Sequence, residues 1–251
     1  MRNIESWQPT KFVRRGGRLR ASRDRAQLSR GSRLVADLIA DYYDSAFARH
    51  ARGRLLDMGC GAVPLYQAYR DHVDEVTCID WGQSLHGGAH LDRECDLSQP
   101  IPFPDAGFDT ILLSDVLEHL PDPQLFWAEA ARLLAGGGKL ILNVPFYYPV
   151  HEEPHDYYRY TQFALRRFAE RAGLSVVELA PIGGAPEILA DLVAKLLTGV
   201  RLGWAASAIQ AMTGAFVRTR VGARLSRKTS ARFPFGYVMV AEKPVVPTGT
   251  A

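Results

Sequence analysis

Small, polar and aromatic residues follow four successive apolar runs of the chain, each near the point where a run ends. They are, in chain order, Asp57, Gly59, Cys60, Gly61, Asp80, Trp81, Asp96, Leu97, Ser114 and His119. Glycine lets a backbone approach a ligand closely because it has no Cβ atom, and a carboxylate after a strand can accept both hydroxyls of a ribose. An indole ring can pack against adenine. The pattern therefore predicts a site for an adenosine-containing ligand.

The glycine loop alone fits more than one ligand of this kind. A dinucleotide-binding turn needs a third glycine three residues after the second, and Pro64 stands at that position. A pyrophosphate-binding turn is therefore disfavoured. The choice of ligand rests on Asp80, Asp96 and the run from Ser114 to Leu120.

A second group of reactive side chains lies between residues 145 and 160. We identify His155 as a candidate general base that Asp156 orients, and His151 as a second candidate. The candidate acceptor-binding residues are Tyr157, Tyr158 and Arg159, whose guanidinium could fix an anionic group. The alternative is that these side chains hydrogen-bond to one another and only fix the loop over the sheet edge.

The same loop offers residue types that bind metal ions. A site made from His151, Glu152, His155 and Asp156 is conceivable for an oxygen acceptor. Its spacing matches no defined ligand set. We therefore predict no metal.

Alternating strand and helix patterns must position these side chains. Strands are predicted at residues 53–58, 75–80, 91–95, 108–114, 139–145, 174–179 and 236–241. Helices are predicted at 32–49, 64–72, 123–135 and 161–172. This order predicts an α/β fold, a parallel sheet with helices on both faces. Such sheets bind ligands beyond the carboxyl ends of their strands, where both groups of side chains are expected.

The segments 55–61, 76–80, 96–97 and 108–123 resemble the successive motifs of class I S-adenosylmethionine-dependent methyltransferases. The run from Phe108 to Pro123, FDTILLSDVLEHLPDP, is similar to the methyltransferase type 11-like branch, which includes ubiquinone and menaquinone methyltransferases. Two further runs carry the resemblance: RLLAGGGKLILNVPF, from Arg132, and EPHDYYRYT, from Glu153. The resemblance covers residues 54–179, roughly half of the chain.

This resemblance implies S-adenosylmethionine as the cofactor and a Rossmann-like sheet of seven strands. The last strand would be antiparallel and inserted between the fifth and the sixth. Asp57 and Gly59 would contact the methionine part, Asp80 the ribose, and Asp96 with Leu97 the adenine. Cys60 would then be a small loop residue and not a nucleophile.

The implied activity is methyl transfer to a small-molecule or lipid-linked acceptor, by O-methylation of a sugar, a polyketide or a quinone-like compound. Two alternatives stay open: a non-catalytic S-adenosylmethionine-binding scaffold or regulatory protein, and an RNA methyltransferase. A nucleic-acid acceptor is disfavoured because amino-methylating enzymes carry an Asn/Asp-Pro-Pro-aromatic run where this chain has residues 114–117. Ring-carbon methylation would need a nucleophilic cysteine in the cleft.

Charge divides the 251 residues into an acidic body and two basic extensions. Residues 1–33 contain ten basic and two acidic residues, residues 55–196 nine basic and twenty-one acidic, and residues 197–241 seven basic and none acidic. The predicted parts are a basic N-terminal arm (1–31), a cofactor-binding core (32–182), a helical insertion (183–233), the last core strand (234–243) and a tail (244–251). The arm is expected to close over the cofactor or the acceptor.

The helical insertion contains two apolar helical stretches, 188–197 and 202–212, followed by six basic residues. Apolar helices with a basic run fit a hairpin that rests on an anionic membrane surface. A lid over the acceptor pocket or a dimer interface is the alternative, and the pattern favours it slightly.

The cysteines and the hydropathy of the sequence indicate in which cellular compartment the protein is expected. Cys60, Cys78 and Cys95 lie in or beside predicted buried strands, which predicts reduced thiols and a cytoplasmic protein. The chain has no uncharged apolar run of about eighteen residues, the length of a spanning helix. Membrane association through residues 183–232 is the open alternative.

Overall fold

A seven-stranded sheet forms the centre of the computed structural model, which describes residues 1–82, 84 and 87–245. The strands are β1 (Phe12–Arg15), β2 (Arg18–Ala21), β3 (Arg54–Met58), β4 (Glu75–Asp80), β5 (Arg93–Glu94), β6 (Phe108–Ser114), β7 (Leu134–Pro145), β8 (Ser175–Ile182) and β9 (Gly236–Glu242). The helices are α1 (Arg33–His50), α2 (Tyr66–Tyr69), α3 (Pro123–Leu133), α4 (Gln162–Arg171), α5 (Ala185–Gly199), α6 (Gly203–Arg218) and α7 (Arg220–Ser230). Three short 3-10 turns lie at Ile4–Ser6, Arg30–Ser32 and Leu117–His119.

The sheet has the strand order β5-β4-β3-β6-β7-β9-β8. Its first five strands pair in parallel, and β9 pairs antiparallel with both β7 and β8. This confirms the predicted seven-stranded sheet with its last strand inserted antiparallel. Met58 lies opposite both Ile79 and Leu113. The residues just after β3, β4 and β6 therefore meet at one edge.

Apolar side chains from both faces of the sheet are buried under helices. On one face Leu56, Met58 and Leu113 pack in a cluster with Phe126 and Trp127 of α3. On the other, Leu55, Cys78 and Leu112 share a cluster with Tyr43 and Phe47 of α1. Each large apolar side chain buried in this way contributes about 1.5–3 kcal/mol. The two clusters fix the strand ends that carry the site.

Several element boundaries differ from the sequence prediction. Helix α3 ends at Leu133 and β7 begins at once, because Leu134 already pairs with Phe108 of β6. The glycines at 136–138, expected to separate helix from strand, therefore lie inside β7. Only one turn of helix follows Pro64, and β5 has only two residues. The predicted Thr161 cap is present, with its side chain accepting a hydrogen bond from the Ala164 amide.

The segment predicted as a basic arm is folded against the core. Strands β1 and β2 form a hairpin, whose Phe12 and Leu19 side chains are fully buried beside α1. Its arginines pair with acids of α1: Arg14 with Asp44, Arg20 with Asp41, and Arg23 with Asp37. Because exposed pairs of this kind contribute at most about 1 kcal/mol each, the buried apolar residues dominate the docking.

The insertion before β9 forms three helices, α5, α6 and α7, and not two. The basic run expected after the second helix is itself helical, capped by Thr219, which accepts from the Gly222 amide. Gln210 of α6 ties the insertion to the core by accepting from the Leu34 amide at 3.0 Å. Within the described residues, no helix has the length and apolar character needed to cross a bilayer. Of the predicted tail, residues 246–251 lie outside the described residues.

Candidate functional site

One open cavity of about 1010 Å³ lies beyond the carboxyl ends of the parallel strands. Nine of the ten predicted cofactor residues line it: Gly59, Cys60, Gly61, Asp80, Trp81, Asp96, Leu97, Ser114 and His119. Three of the predicted acceptor-side residues line it too, namely His151, His155 and Tyr157. Asp57, Asp156, Tyr158 and Arg159 are not among its lining residues. The structure thus brings both predicted groups to one chamber.

The loop after β3 is held close to the sheet by backbone contacts. Gly59 adopts a φ of +69° and donates its amide hydrogen to the Ile79 carbonyl at 2.8 Å. A Cβ atom at Gly59 would lie 2.5 Å from Val116 Cγ2. Glycine is therefore required here for both its backbone angle and its size.

Asp80 connects the end of β4 to this loop. Its carboxylate accepts from the Gly61 amide at 2.9 Å and from the Trp81 amide at 2.8 Å. Each carboxylate oxygen keeps a further lone pair that can accept a ribose hydroxyl. The Trp81 ring meets the His155 ring edge-on at 5.2 Å. The adenosine side of the cavity and the loop after β7 are thus in direct contact.

Asp57 lies beneath the glycine loop. Its Oδ2 atom accepts from the Tyr69 hydroxyl at 3.1 Å. Burial, with a smaller contribution from Asp80, raises the pKa of Asp57 to about 7. This position joins β3 to α2. A direct contact with the methionine part of a cofactor stays a prediction.

A hydrogen-bonded group lies after β6, and the sequence analysis had singled out only one of its members. Asn143 Oδ1 accepts from Ser114 Oγ at 2.9 Å and from the Tyr43 hydroxyl at 2.5 Å. The Asp115 carboxylate accepts from Asn143 Nδ2 and forms an ion pair with Lys11 at 3.1 Å. Lys11 lines the cavity although it precedes β1. A single lysine within a basic stretch gave no signal that could have identified it.

Arg159 is neutralised inside the loop after β7. It binds Asp156 through two hydrogen bonds, Nη1 to Oδ1 at 2.6 Å and Nη2 to Oδ2 at 2.7 Å. These bonds, assisted by the His151 amide, hold the pKa of Asp156 well below its usual range. Arg159 also donates to the Tyr148 and Pro149 carbonyls. The pair fixes the loop, so the guanidinium is already engaged where an anionic acceptor group was expected.

The imidazole that Asp156 orients differs from the expected one. Asp156 Oδ2 lies 3.3 Å from His151 Nδ1, whereas His155 Nδ1 lies 3.2 Å from the Tyr157 hydroxyl. The expected pairing of His155 with Asp156 is therefore wrong. Burial and the nearby His119 lower the pKa of His151, which keeps this imidazole neutral at neutral pH.

Glu118 was not singled out from the sequence. It lies in the turn after β6 at 0% exposure, and no described residue hydrogen-bonds to either carboxylate oxygen. Its Oε1 atom is 3.7 Å from His119 Nε2 and 3.8 Å from His151 Nε2. Burial and the charge of Asp115 raise the pKa of Glu118 well above its usual range. These three side chains could hold a metal ion.

The cysteines are free and buried. The pKa of the Cys60 thiol is raised far above its usual value by its contact with Cys78 and by burial. A thiol in that state is a poor nucleophile, which agrees with the expected role of Cys60 as a small loop residue.

Comparison with known proteins identifies a methyltransferase domain within the core. A family model described as a methyltransferase domain matches residues 56–142, from β3 to β7. The ubiquinone biosynthesis O-methyltransferase of Xanthomonas axonopodis pv. citri is 33% identical over 111 residues, which are 40% of this chain and 46% of that protein. The chain spans about half the length of the curated relatives it matches.

Two solved structures share the fold across most of the chain. The [4+2]-cyclase SpnF aligns with a TM-score of 0.57 and 19% identity, covering 89% of this chain and 86% of that one. An S-adenosylmethionine-dependent methyltransferase from Mesorhizobium loti aligns with a TM-score of 0.51 and 13% identity, covering 80% and 96%. Residues 56–142 therefore form a methyltransferase domain, and the chain around it has the fold of class I S-adenosylmethionine-dependent methyltransferases.

S-adenosylmethionine is the cofactor of proteins with this domain, and the cavity suits it. The glycine at position 59 leaves room where a Cβ atom would collide with Val116. Asp80 has carboxylate oxygens that can accept ribose hydroxyls, and Asp96 and Leu97 line the same cavity. The chamber is large enough for a cofactor and a second small molecule, because ligand pockets commonly measure about 300–1,000 Å³.

Proposed function

We propose that this methyltransferase moves a methyl group from S-adenosylmethionine to a hydroxyl group of a small-molecule or lipid-linked acceptor. The acceptor classes that we favour are a sugar, a polyketide and a quinone-like compound. The observation that carries the proposal is the single cavity, which is lined by Gly59 and Asp80 on one side and by His119 and His151 on the other. The O-methyltransferase name of the 33% identical relative supports oxygen as the receiving atom.

Alignment is the main contribution that this chain would make. S-adenosylmethionine supplies an electrophilic methyl group on a sulfonium, so the reaction is an in-line displacement. The glycine loop and Asp80 would hold the donor, while the loop fixed by Asp156 and Arg159 would hold the acceptor. Fixing two reactants in attack geometry can supply about 7–11 kcal/mol of rate enhancement.

A hydroxyl acceptor must lose its proton as the new bond forms. Three ionisable side chains cluster beside the acceptor side of the cavity: Glu118, His119 and His151. We assign the activation of that hydroxyl to this cluster. His155 lines the same cavity and is the alternative base, held by the Tyr157 hydroxyl.

A methyl-transfer assay tests the proposal. The full chain is incubated with S-adenosylmethionine labelled in its methyl group, together with catechols, hydroquinones, free sugars, polyketides, lipid-linked sugars or cell-extract fractions. We expect base-stable label in a hydroxyl-bearing compound, lost in Asp80→Asn and kept in Asp105→Asn. Asp105 is a matched control because it pairs with Arg132 at an exposed position.

Two outcomes would contradict the proposal. Cofactor binding without label in any compound or fraction would favour a non-catalytic scaffold. Label that appears only in RNA would favour the RNA methyltransferase alternative.

We also propose that the insertion α5–α7 rests on an anionic lipid surface. It exposes large apolar side chains, among them Leu196 at 72%, Trp204 at 71% and Val221 at 71%. Residues 197–241 contain seven basic and no acidic residues. A surface that combines exposed apolar groups with unbalanced positive charge complements anionic headgroups.

The position of the insertion suits a lipid-linked acceptor. Leu192, Leu196 and Val200 of this region line an apolar groove of about 550 Å³ together with Pro149. Pro149 follows Tyr148, which lines the main cavity. A lipid chain beside α5 would therefore start next to the acceptor loop.

Sedimentation with vesicles tests this membrane contact. We expect binding to phosphatidylcholine vesicles only when phosphatidylserine is included, and loss of binding in Leu196→Ser with Trp204→Ser. Phe163→Ser is the matched control, since Phe163 is 76% exposed on α4, away from the insertion. Equal binding by all three proteins would contradict the proposal. A dimer that dissociates in the double variant, without vesicle binding, would show that the surface is a subunit interface.

A further inference from the structure

Three ligand-type atoms converge at the acceptor side of the cavity. They belong to Glu118, His119 and His151, and one ligand atom of each lies within 4.8 Å of those of the other two. We propose that these three side chains bind one divalent metal ion of the zinc type. The role of this ion in activating a hydroxyl rests on the proposed function, whereas its binding does not.

The separations are close to those of a bound ion. Glu118 Oε1 is 3.7 Å from His119 Nε2 and 3.8 Å from His151 Nε2. Ligands at ~2.1 Å from a tetrahedral zinc ion lie ~3.4 Å apart. Two of the three edges of the site are therefore within about 0.4 Å of that value. The third edge, between the two imidazoles, is at most 4.8 Å.

The hydrogen bonds of both imidazoles leave their Nε2 lone pairs facing the cluster. His119 Nδ1 lies 2.8 Å from the His155 carbonyl, and because a carbonyl only accepts, Nδ1 carries the hydrogen. His151 Nδ1 lies 3.3 Å from both the Pro149 carbonyl and Asp156 Oδ2, which are again acceptors. Metal-binding histidines typically donate their other ring hydrogen to such a carbonyl or carboxylate.

No hydrogen bond joins the Glu118 carboxyl to either of the two imidazoles. Glu118 is fully buried, and both its oxygens and His119 Nε2 lack hydrogen-bond partners among the described residues. A buried ionised carboxylate without compensation is strongly unfavourable. Protonation of Glu118 would supply one hydrogen, but both imidazole nitrogens lie beyond hydrogen-bond distance. A divalent cation satisfies all three groups at once.

The ligand set also indicates what the ion would do. Two histidines and one glutamate are found in catalytic zinc sites that keep a further position open. All three residues line the cavity, so the open position would face the acceptor. An acceptor hydroxyl bound there would become more acidic and would release its proton to water in the open cavity.

This site differs from the metal set considered on sequence spacing, with which it shares only His151. Glu118 and His119 follow β6, whereas His151 follows β7, its neighbour in the sheet. Because parallel strands end at the same edge, residues more than thirty positions apart meet here. Spacing along the chain could not reveal the set.

Titration of the full chain with Co²⁺ tests the site. We expect visible absorption bands that saturate at one Co²⁺ per chain and disappear when Zn²⁺, but not Mg²⁺, is added. Glu118→Gln and His151→Asn should weaken Co²⁺ binding by at least the ~10–100-fold that loss of an outer partner costs. His155→Gln is the matched control, because it alters a neighbouring imidazole but keeps the backbone carbonyl that holds His119.

The possible results separate the metal site from the proposed function. Absence of the bands in the wild-type chain, or equal bands in Glu118→Gln and His151→Asn, would overturn the site. Circular dichroism of each variant shows whether the variant is folded, and His119→Gln supplies a further variant if either is not. Methyl transfer that persists without Co²⁺ binding would contradict the site alone. Co²⁺ binding without methyl transfer would contradict the proposed function alone.

Discussion

The two sides of the cavity are built differently. On the cofactor side, Gly59, Gly61 and Asp80 directly follow or end two neighbouring strands and are held by backbone amide contacts. On the acceptor side, Glu118 and His151 come from different loops, which the Tyr157 amide joins by donating to the Glu118 carbonyl at 2.9 Å, and their side chains lie 3.8 Å apart. A site of the first kind tolerates little change in size. A site of the second kind depends on charge and protonation.

The largest expected effect concerns Asp57, which lies beneath the cofactor loop. Its pKa is raised to about 7 in the folded chain, so between about pH 4 and pH 7 the folded state holds a proton that the unfolded state has released. Stability should therefore fall as pH rises through that window, by at most about 4 kcal/mol. Asp57→Asn should remove this loss, as measured by urea unfolding at pH 5 and pH 8. Equal pH dependence of the wild type and the variant would rule out the raised pKa.

Gly59→Ala should have the second largest effect, on cofactor binding. The new Cβ would lie 2.5 Å from Val116 Cγ2, on a backbone with a φ of +69°. A strained residue of this kind costs about 1–3 kcal/mol, so S-adenosylhomocysteine should bind up to roughly a hundredfold more weakly. Gly199→Ala is the control, because no described atom lies within 4 Å of its added Cβ. Unchanged affinity in Gly59→Ala would show that the loop does not hold the cofactor.

Asp156→Asn should disturb the loop on the acceptor side of the cavity and leave cofactor binding unchanged. It leaves Arg159 without its carboxylate partner, and the lost charge-assisted hydrogen bonds contribute about 2 kcal/mol. We expect a lower melting temperature and slower methyl transfer, with cofactor affinity changed less than twofold. Calorimetric titration with S-adenosylhomocysteine measures that affinity. A large loss of cofactor affinity would mean that the two sides are not independent.

The smallest effect is expected for Tyr157→Phe. The tyrosine hydroxyl lies 3.2 Å from His155 Nδ1, and its loss removes one partly exposed hydrogen bond, worth about 1 kcal/mol. If the Glu118 cluster deprotonates the acceptor, kcat should change less than threefold. A tenfold loss of kcat with a shifted pH profile would instead identify His155 as the base.

The same difference explains what the sequence could predict. The residues at the ends of β3 and β4 were predictable because strand periodicity fixes where each strand ends, and parallel pairing brings those ends together. The partner of Asp156 was not, since His151 and His155 are both near it in sequence and only the loop path separates them. Lys11 and Glu118 were also not predicted as site residues, because their positions beside the cavity depend on the fold and not on a local sequence pattern.

Calorimetric titration of S-adenosylhomocysteine into the wild-type chain and Asp80→Asn tests the central claim, that the ends of β3 and β4 bind the adenosyl group of the cofactor. We expect one site per wild-type chain and at least tenfold weaker binding in Asp80→Asn, because the amide nitrogen cannot accept a ribose hydrogen bond. No binding to the wild type, or equal binding to both proteins, would contradict the account.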